Sequence, residues 1–498
     1  MTGVWWSVAV IGVVVLTFGS GDVDGASRSK RASLSEDYEC TYPDGLFADP
    51  ETCRRFYICS AGTPFSQTCP PSLYFDDVKK FCTFKNKELT CGPVETTTTE
   101  RPPPDPDTAP KCDPTVCVLP DCFCSSDGTQ IPDRLEPKDV PQMIVMSFDG
   151  AINNMNFKQY RSLLKKEHRK NPNGCPIRST FFVHHEYTSY FDVQKMYADG
   201  HEIASLGVTH RGPESWWTKA SYENWTEEMA GMREILARFG NVSKDSILGV
   251  RAPYLKPGGN RMLDMIYDFS FGYDSSFAVP PSKVPLWPYT LDYHIPHRCV
   301  NQGCPTHSYP GVWEVPLNSM YSEDGTGGQC FLADQCVFAD DEDIVFEFLL
   351  ENFLRHYKTN RAPLGLYFQV NWFTDKIKTK ALHRFVDHII KNYDNTWFVT
   401  MQQLLLWMRT PKKASELRDF QPWTCEKKTP ACNIPTMCIL PFSEEHYSDL
   451  RYMETCTTCP TKYPWIGNYM GTYKGKMIMD QVAEDELEGH LQNITAEN

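Results

Sequence analysis

The sequence predicts a mixed α/β protein: an α/β barrel or open sheet preceded by a small disulfide-rich β module. Three observations carry this expectation. The run 143–150 is apolar and rich in β-formers, then ends in Asp149 and Gly150. That is the pattern of a buried strand delivering an acid to the C-terminal edge of a sheet. From there to Val399, short apolar segments alternate with helical periods, as strand–helix repeats do. Upstream, six cysteines fall between Cys40 and Cys91, a stretch too short to be held by a core alone.

A length of 498 residues calls for two or more folded units, and 41% hydrophobic content suffices for an ordinary core. The net charge of −14 argues against nucleic acid and against an anionic membrane as partners. Residues 1–26 read as a signal peptide. The apolar run 4–18 is followed by Gly19-Ser20-Gly21 and is short for a bilayer span. The n-region lacks Lys and Arg, and a signal anchor is the alternative reading. Export places the 20 cysteines in an oxidising compartment, mainly as disulfides. The sequons at Asn224, Asn241 and Asn493 suit that setting. The basic run Arg28-Ser29-Lys30-Arg31 reads equally as a processing site or a flexible segment.

The module 40–91 holds Cys40, Cys53, Cys59, Cys69, Cys82 and Cys91, and six cysteines allow 15 connectivities. It is also rich in rings: Phe56, Tyr57, Phe65, Tyr74, Phe75 and Phe81. Exposed rings stack on the apolar faces of sugars; buried ones form a minimal core. The spacing, with Arg55-Phe56-Tyr57-Ile58-Cys59 and Leu73-Tyr74-Phe75-Asp76, resembles a peritrophin-type chitin-binding domain. The resemblance implies that Tyr57, Phe75 and Asp76 lie near the sugar. It also implies the pairing Cys40–Cys59, Cys53–Cys91 and Cys69–Cys82.

Residues 92–111 carry four consecutive threonines and three consecutive prolines, with no large apolar residue after Val94. They read as an extended spacer, at about 3 Å per residue in polyproline geometry. In the lead-in 112–142, Cys112, Cys117, Cys122 and Cys124 cluster tightly. Metal binding is the sharp reading; disulfide stapling is what secretion favours.

The barrel is expected over 143–410. Strands are predicted at 143–148, 179–183, 202–205, 247–250, 312–316, 364–370 and 396–399. Helices are predicted at 223–239, 343–357 and 382–393, where apolar residues recur at spacings of three and four. Their Met and aromatic residues are read as core. The segment 411–468 adds Cys425, Cys432, Cys438, Cys456 and Cys459. The last four-residue spacing suits a redox or metal pair, but structural disulfides are expected. Residues 469–498 form a polar, acidic tail.

The segment 113–153, above all Asp121-Cys122-Phe123-Cys124 and Ser147-Phe148-Asp149-Gly150-Ala151-Ile152-Asn153, is similar to arthropod chitin deacetylases of the polysaccharide deacetylase family. Further matches are Gly200-His201-Glu202-Ile203-Ala204-Ser205, Arg251-Ala252-Pro253-Tyr254-Leu255, Asp274-Ser275-Ser276 and Pro363-Leu364-Gly365-Leu366-Tyr367-Phe368. The resemblance spans nearly all of the mature chain except the tail. It implies a distorted (β/α) barrel, a zinc ion held by two histidines and an aspartate, a second aspartate as base, an arginine that orients the base, and a histidine acid.

Carried over position by position, Asp149 matches the base, Arg251 its orienting arginine and Asp274 the acid of the fourth motif. Gly150 stands where the metal-binding aspartate belongs. Leu206 replaces the first histidine ligand and only His210 remains. Gln369 occupies the place of the proton donor, and an amide is no general acid. Pro253, Tyr254, Trp372 and Phe373 remain as expected walls for a sugar. No cofactor is therefore expected, since one histidine is not a zinc site.

The function these residues predict is a secreted protein of a chitinous matrix that binds chitin or chitosan without zinc-dependent activity. Other matrix proteins are further candidate partners; nucleic acid and membrane are not. The alternative is a working deacetylase with a site rebuilt from His184 or His185 beside His210, or one that uses no metal. A third reading is a structural linker between fibres.

Overall fold

The computed structural model describes residues 45–50, 52–60, 63–69, 73–76, 81–83, 109–425, 428–444 and 447–472. The leader, the basic run, Asn493, and most of the spacer and tail lie outside these residues. Among the described residues, no helix is long and apolar enough to cross a membrane.

In the N-terminal module, β1 (Gly45–Ala48), β2 (Arg55–Ser60) and β3 (Thr63–Thr68) form an antiparallel sheet with β2 in the centre. A second pair joins β4 (Tyr74–Asp76) to β5 (Phe81–Thr83). Cys69 is bonded to Cys82; the other two implied bonds involve Cys40 and Cys91, outside the described residues. Phe75 is fully buried, packs with Cys69 and Leu73, and stacks on Phe56 at 4.5 Å. Tyr57 and Asp76 are buried as well. These three side chains, which the resemblance places near the sugar, are turned into the module itself. Burying one such ring contributes about 1.5–3 kcal/mol, and a module with so few apolar residues uses its rings for its own core.

The second unit is built on one curled sheet. β6 (Gln142–Asp149) pairs in parallel with β7 (Thr180–Val183) on one flank and β15 (Leu364–Gln369) on the other. Beyond β7 the parallel order continues through β8 (Glu202–Ser205), β9 (Gly249–Val250), β10 (Tyr273–Asp274) and β13 (Trp313–Glu314). The antiparallel β12 (Tyr289–Thr290) ends that side. β16 (Thr396–Phe398) pairs with the first residues of β6. β11 (Ala278–Val279) and β14 (Leu317–Asn318) form a separate parallel pair. Among the described strands, no ladder joins β15 back to β12, so the barrel is open rather than closed.

All eight residues of β6 are buried, because both faces of the sheet are covered. Alternation sorts them. Met143 and Val145 face an inner cluster with Phe182, Ala204, Leu206 and Tyr367, whereas Ile144, Met146 and Phe148 face the helical layer. Asp149 has the inward parity, two positions beyond Ser147.

The helices are α1 (Phe157–Leu164), α2 (Tyr190–Ala198), α3 (Ser215–Lys219), α4 (Tyr222–Gly240), α5 (Asn260–Asp268), α6 (Glu342–Lys358), α7 (Lys376–Asn392) and α8 (Met401–Arg409). The three longest were expected from their periods. α4 starts with a reciprocal cap between Ser221 and Asn224 and stops at Asn241, whose φ of 49° is left-handed. Both sequons on this helix are solvent-exposed at their asparagines. The shorter helices carry too few turns for a sequence period to stand out.

A ribbon of β17 (Thr436–Glu444) and β18 (Tyr447–Thr455) was not expected at all. It is tied down by Cys432–Cys456 and Cys438–Cys459, while Cys175–Cys425 closes a separation of 250 residues. The last is worth about 5 kcal/mol in the chain-entropy account. Cys456 and Cys459 thus belong to different disulfides. Cys112–Cys124 and Cys117–Cys122 likewise staple the lead-in, and Cys299–Cys304 and Cys330–Cys336 close short loops.

Candidate functional site

The C-terminal ends of β6, β7, β8, β9 and β15 meet at a cleft of about 400 Å³, whose lining includes Asp149, Gly150, His184, Leu206, His210, Tyr254, Leu332 and Gln369. Strand register explains the company. Asp149 lies opposite Gln369 on β15 and Phe182 on β7, and Ser205 pairs with Val250, which places Arg251 one residue past β9.

Arg251 is fully buried and makes four hydrogen bonds. It donates to Asp149 Oδ1 at 2.8 Å, to Ser147 Oγ at 2.7 Å, and to the carbonyl and Oγ of Ser275, both at 2.8 Å. Its guanidinium also lies between the rings of Phe182 and Tyr367, 4.2 and 4.5 Å from their centroids. Burial pushes the Asp149 carboxyl above its ordinary range, and the adjacent Arg251 pulls it back. The acid at the head of the cleft therefore sits in a closed ion pair.

Asp274 does not line the cleft. It is buried beneath it, accepts from Ser276 Oγ at 2.7 Å, and stands in register beside Glu314. Each carboxyl lies within the other's electrostatic reach. Burial pushes Asp274 up to about 6, and burial with the neighbouring Asp274 holds Glu314 well above its usual range. Asp274 thus braces the floor behind Arg251.

The positions that depart from the resemblance bring few donors for zinc. Gly150 brings no donor, and a Cβ built there meets nothing within 4 Å. Its φ of 135° is a conformation that L side chains rarely adopt. Leu206 is buried and apolar at the cleft floor. His210 is the one matched ligand. The loop that carries it is held by Glu228, whose Oε2 accepts the N–H groups of Val208 and Thr209 at 2.8 Å each. Of the two histidines that follow β7, His184 reaches His210: the rings stack with centroids 5.0 Å apart. His185 turns away, bonded to the Tyr190 hydroxyl at 2.5 Å and packed on Tyr463. Burial lowers His184 to about 3 and His210 to about 4, so both rings are neutral near pH 7. Among the described residues, no three His, Cys, Asp or Glu side chains converge as metal ligands. The residues present do not fit a tetrahedral zinc site.

The walls differ from expectation too. Tyr254 does line the cleft, its ring 4.4 Å from His210 and its hydroxyl donating to the His210 carbonyl at 3.0 Å. Pro253, Trp372 and Phe373 are buried instead. Trp372 packs on Phe368 at 5.0 Å in the outer core, because the turn after β15 folds its aromatic residues under the sheet edge. In their place the cleft takes Met155, Asn156, Tyr187 and Asn371. One acid escaped the sequence reading. Asp334, inside the Cys330–Cys336 loop, accepts the Gln369 N–H at 2.6 Å, and burial pushes it up to about 6. The tight cysteine spacing was the only signal for it.

Comparison with known proteins bears on both units. Residues 40–91 match the model of the chitin binding Peritrophin-A domain. The chain is 38% identical over 479 residues to chitin deacetylase 1 of Bombyx mori, covering 84% of this chain and 88% of that protein. It is 37% identical over 369 residues to chitin deacetylase 8 of the same organism, covering 73% and 94%. Among solved structures, a peptidoglycan deacetylase of Bacillus subtilis shares 16% identity at a TM-score of 0.31, covering 58% of this chain and all of that one (100%).

Proposed function

The chain belongs to the chitin deacetylase family, and from that premise we propose that it is a secreted, chitin-binding member that does not carry out zinc-dependent deacetylation. The observation that carries the reading is Gly150 and Leu206 at the strand ends beside Asp149. A hydrogen and an isobutyl group occupy the places of two ligands. Loss of one partner behind a ligand costs 10–100-fold in metal affinity; loss of ligands themselves costs more.

In this reading the module 40–91 anchors the protein to the polymer, the spacer 92–111 separates the two units, and the cleft holds an acetylated sugar. Tyr254 and His210 supply flat, uncharged rings, and Leu206 and Leu332 an apolar floor. Neutral rings and a closed ion pair favour an uncharged ligand. The setting is an oxidising extracellular matrix, consistent with the disulfides.

The test is the zinc content of the purified secreted protein, by mass spectrometry, together with acetate release from N-acetylglucosamine oligomers. Less than a tenth of an equivalent of zinc and no acetate above blank are expected. Stoichiometric zinc with acetate release overturns the proposal. It would favour the second reading, a rebuilt site at His184 and His210, for which the stacked rings and the His184 Nδ1 without a hydrogen-bond partner speak.

A further inference from the structure

The ribbon of β17 and β18 is apolar on both sides. Alternation turns Cys438, Leu440, Phe442 and Met453 inward, where all are buried. It turns Met437, Ile439, Leu450 and Tyr452 outward, and these are 53, 58, 55 and 64% exposed. Ile439 lies directly opposite Tyr452, and Pro441 opposite Leu450, so the outward residues form one strip. Together they offer roughly 500 Å², near the top of the range for the largest apolar patch on a monomer. Folding does not require this face, since the inward residues already fill the core.

The strip is joined to the cleft through one loop. His184 lines the cleft, Glu186 pairs with Arg451 of β18 at 3.0 Å, and Ser189 Oγ donates to Glu454 of β18 at 2.7 Å. Between them, Tyr187 lines the cleft and is 74% exposed. The loop that carries Tyr187 at the mouth of the cleft is thus bonded directly to β18.

We propose that the outward face of this ribbon is a second docking platform for the polysaccharide, on which a flat, uncharged face of the polymer lies as it leaves the cleft. The inference rests on the chitin-binding reading above and extends it to insoluble polymer. Flat apolar strips with a tyrosine pack against the C–H faces of sugar rings. Charge points the same way. Arg451, the cation of the ribbon, is folded inward over Phe442, and Met437, Ile439, Pro441, Leu450 and Tyr452 bring no charge to the strip. The strip offers an anionic partner no cation. A second copy of the chain is disfavoured by a net charge of −14 on each and by an area below the ~800 Å² per partner of a stable interface.

The test compares the full chain with its Ile439→Ser/Leu450→Ser/Tyr452→Ser variant on two probes: insoluble chitin particles and the soluble N-acetylglucosamine hexamer. Two sites on one polymer gain from avidity. The variant should lose at least about tenfold in apparent affinity for particles while its affinity for the hexamer stays within twofold. Ile439→Lys, a single change, serves if the triple variant fails to fold. Particle retention equal to wild type overturns the platform. So does concentration-dependent dimerisation that the variant abolishes, which assigns the face to a second copy. Oxidation protection of Met437 that vanishes on deleting 473–498 assigns it to the tail and also overturns it. A wild-type chain that binds neither probe sinks the chitin-binding reading itself, an outcome distinct from the other three.

Discussion

Replacing Arg251 with methionine is expected to cost the second unit about 3–5 kcal/mol, the penalty of breaking a buried ion pair by removing one partner. The size follows from what is stranded. Asp149 is 8% exposed and has Arg251 as its charge partner. Ser147 Oγ loses the guanidinium it accepts from, whereas Ser275 Oγ keeps its bond to the Val315 carbonyl at 3.0 Å. Methionine still fills the space between Phe182 and Tyr367, so little of the loss comes from a void. Adding Asp149→Leu should restore most of the stability, because apolar replacement of both partners is often neutral. The single-variant loss should also shrink on acidification. The folded-state pKa of Asp149 is raised, so its proton is taken up readily and the neutral acid no longer needs a cation. Urea unfolding followed by tryptophan fluorescence is the assay, since the module 40–91 contains no tryptophan and the signal reports the second unit. A loss below about 1 kcal/mol, or a double variant no better than the single one, would refute the view that the pair is a closed structural unit.

Three further outcomes are expected. Acidification from pH 6.5 toward 4 should destabilise the barrel through His184 and His210: their folded pKa values are depressed to about 3 and 4, so stability present above pH 6.5 is lost as the unfolded chain binds protons. His210→Gln should flatten that slope, read as urea midpoints at pH 7, 5.5 and 4.5. Gly150→Asp/Leu206→His/Gln369→His should bind zinc weakly at best by calorimetry, because an L residue at a φ of 135° carries about 1–3 kcal/mol of strain; tight stoichiometric zinc would contradict it. Phe75→Ala should unfold the module, at about 3–5 kcal/mol for a buried ring, with protease sensitivity confined to 40–91 and weaker chitin retention; an unchanged module would mean that Phe75 is not its core.

Much of the fold was legible because its signals are local. β6 ends in Asp149, and the long periods of α4 and α6 stand out, each within one residue of its expected bounds, as Glu202–Ser205 matches its own, whereas α7 starts at Lys376, ahead of the expected 382. Strands of two residues such as Tyr273–Asp274 are too short to carry a pattern. The β17–β18 ribbon hid for another reason: it is apolar on both faces, so alternation is masked. Trp372 and Pro253 were read as walls because aromatic and proline residues near a motif look like walls; which face they turn to is settled by packing.

Residue identity alone raised the expectation of a lost zinc site: a glycine, a leucine and a glutamine cannot donate what carboxylate and imidazole donate, in any fold. It also determined the family, the crosslinked character and the order of the units. Only the tertiary structure decided who neighbours whom. That Arg251 locks Asp149, that His184 rather than His185 stacks on His210, and that Tyr57 and Phe75 are buried all depend on strand register and side-chain direction. Those are set by contacts between residues far apart in the chain, which no local pattern records.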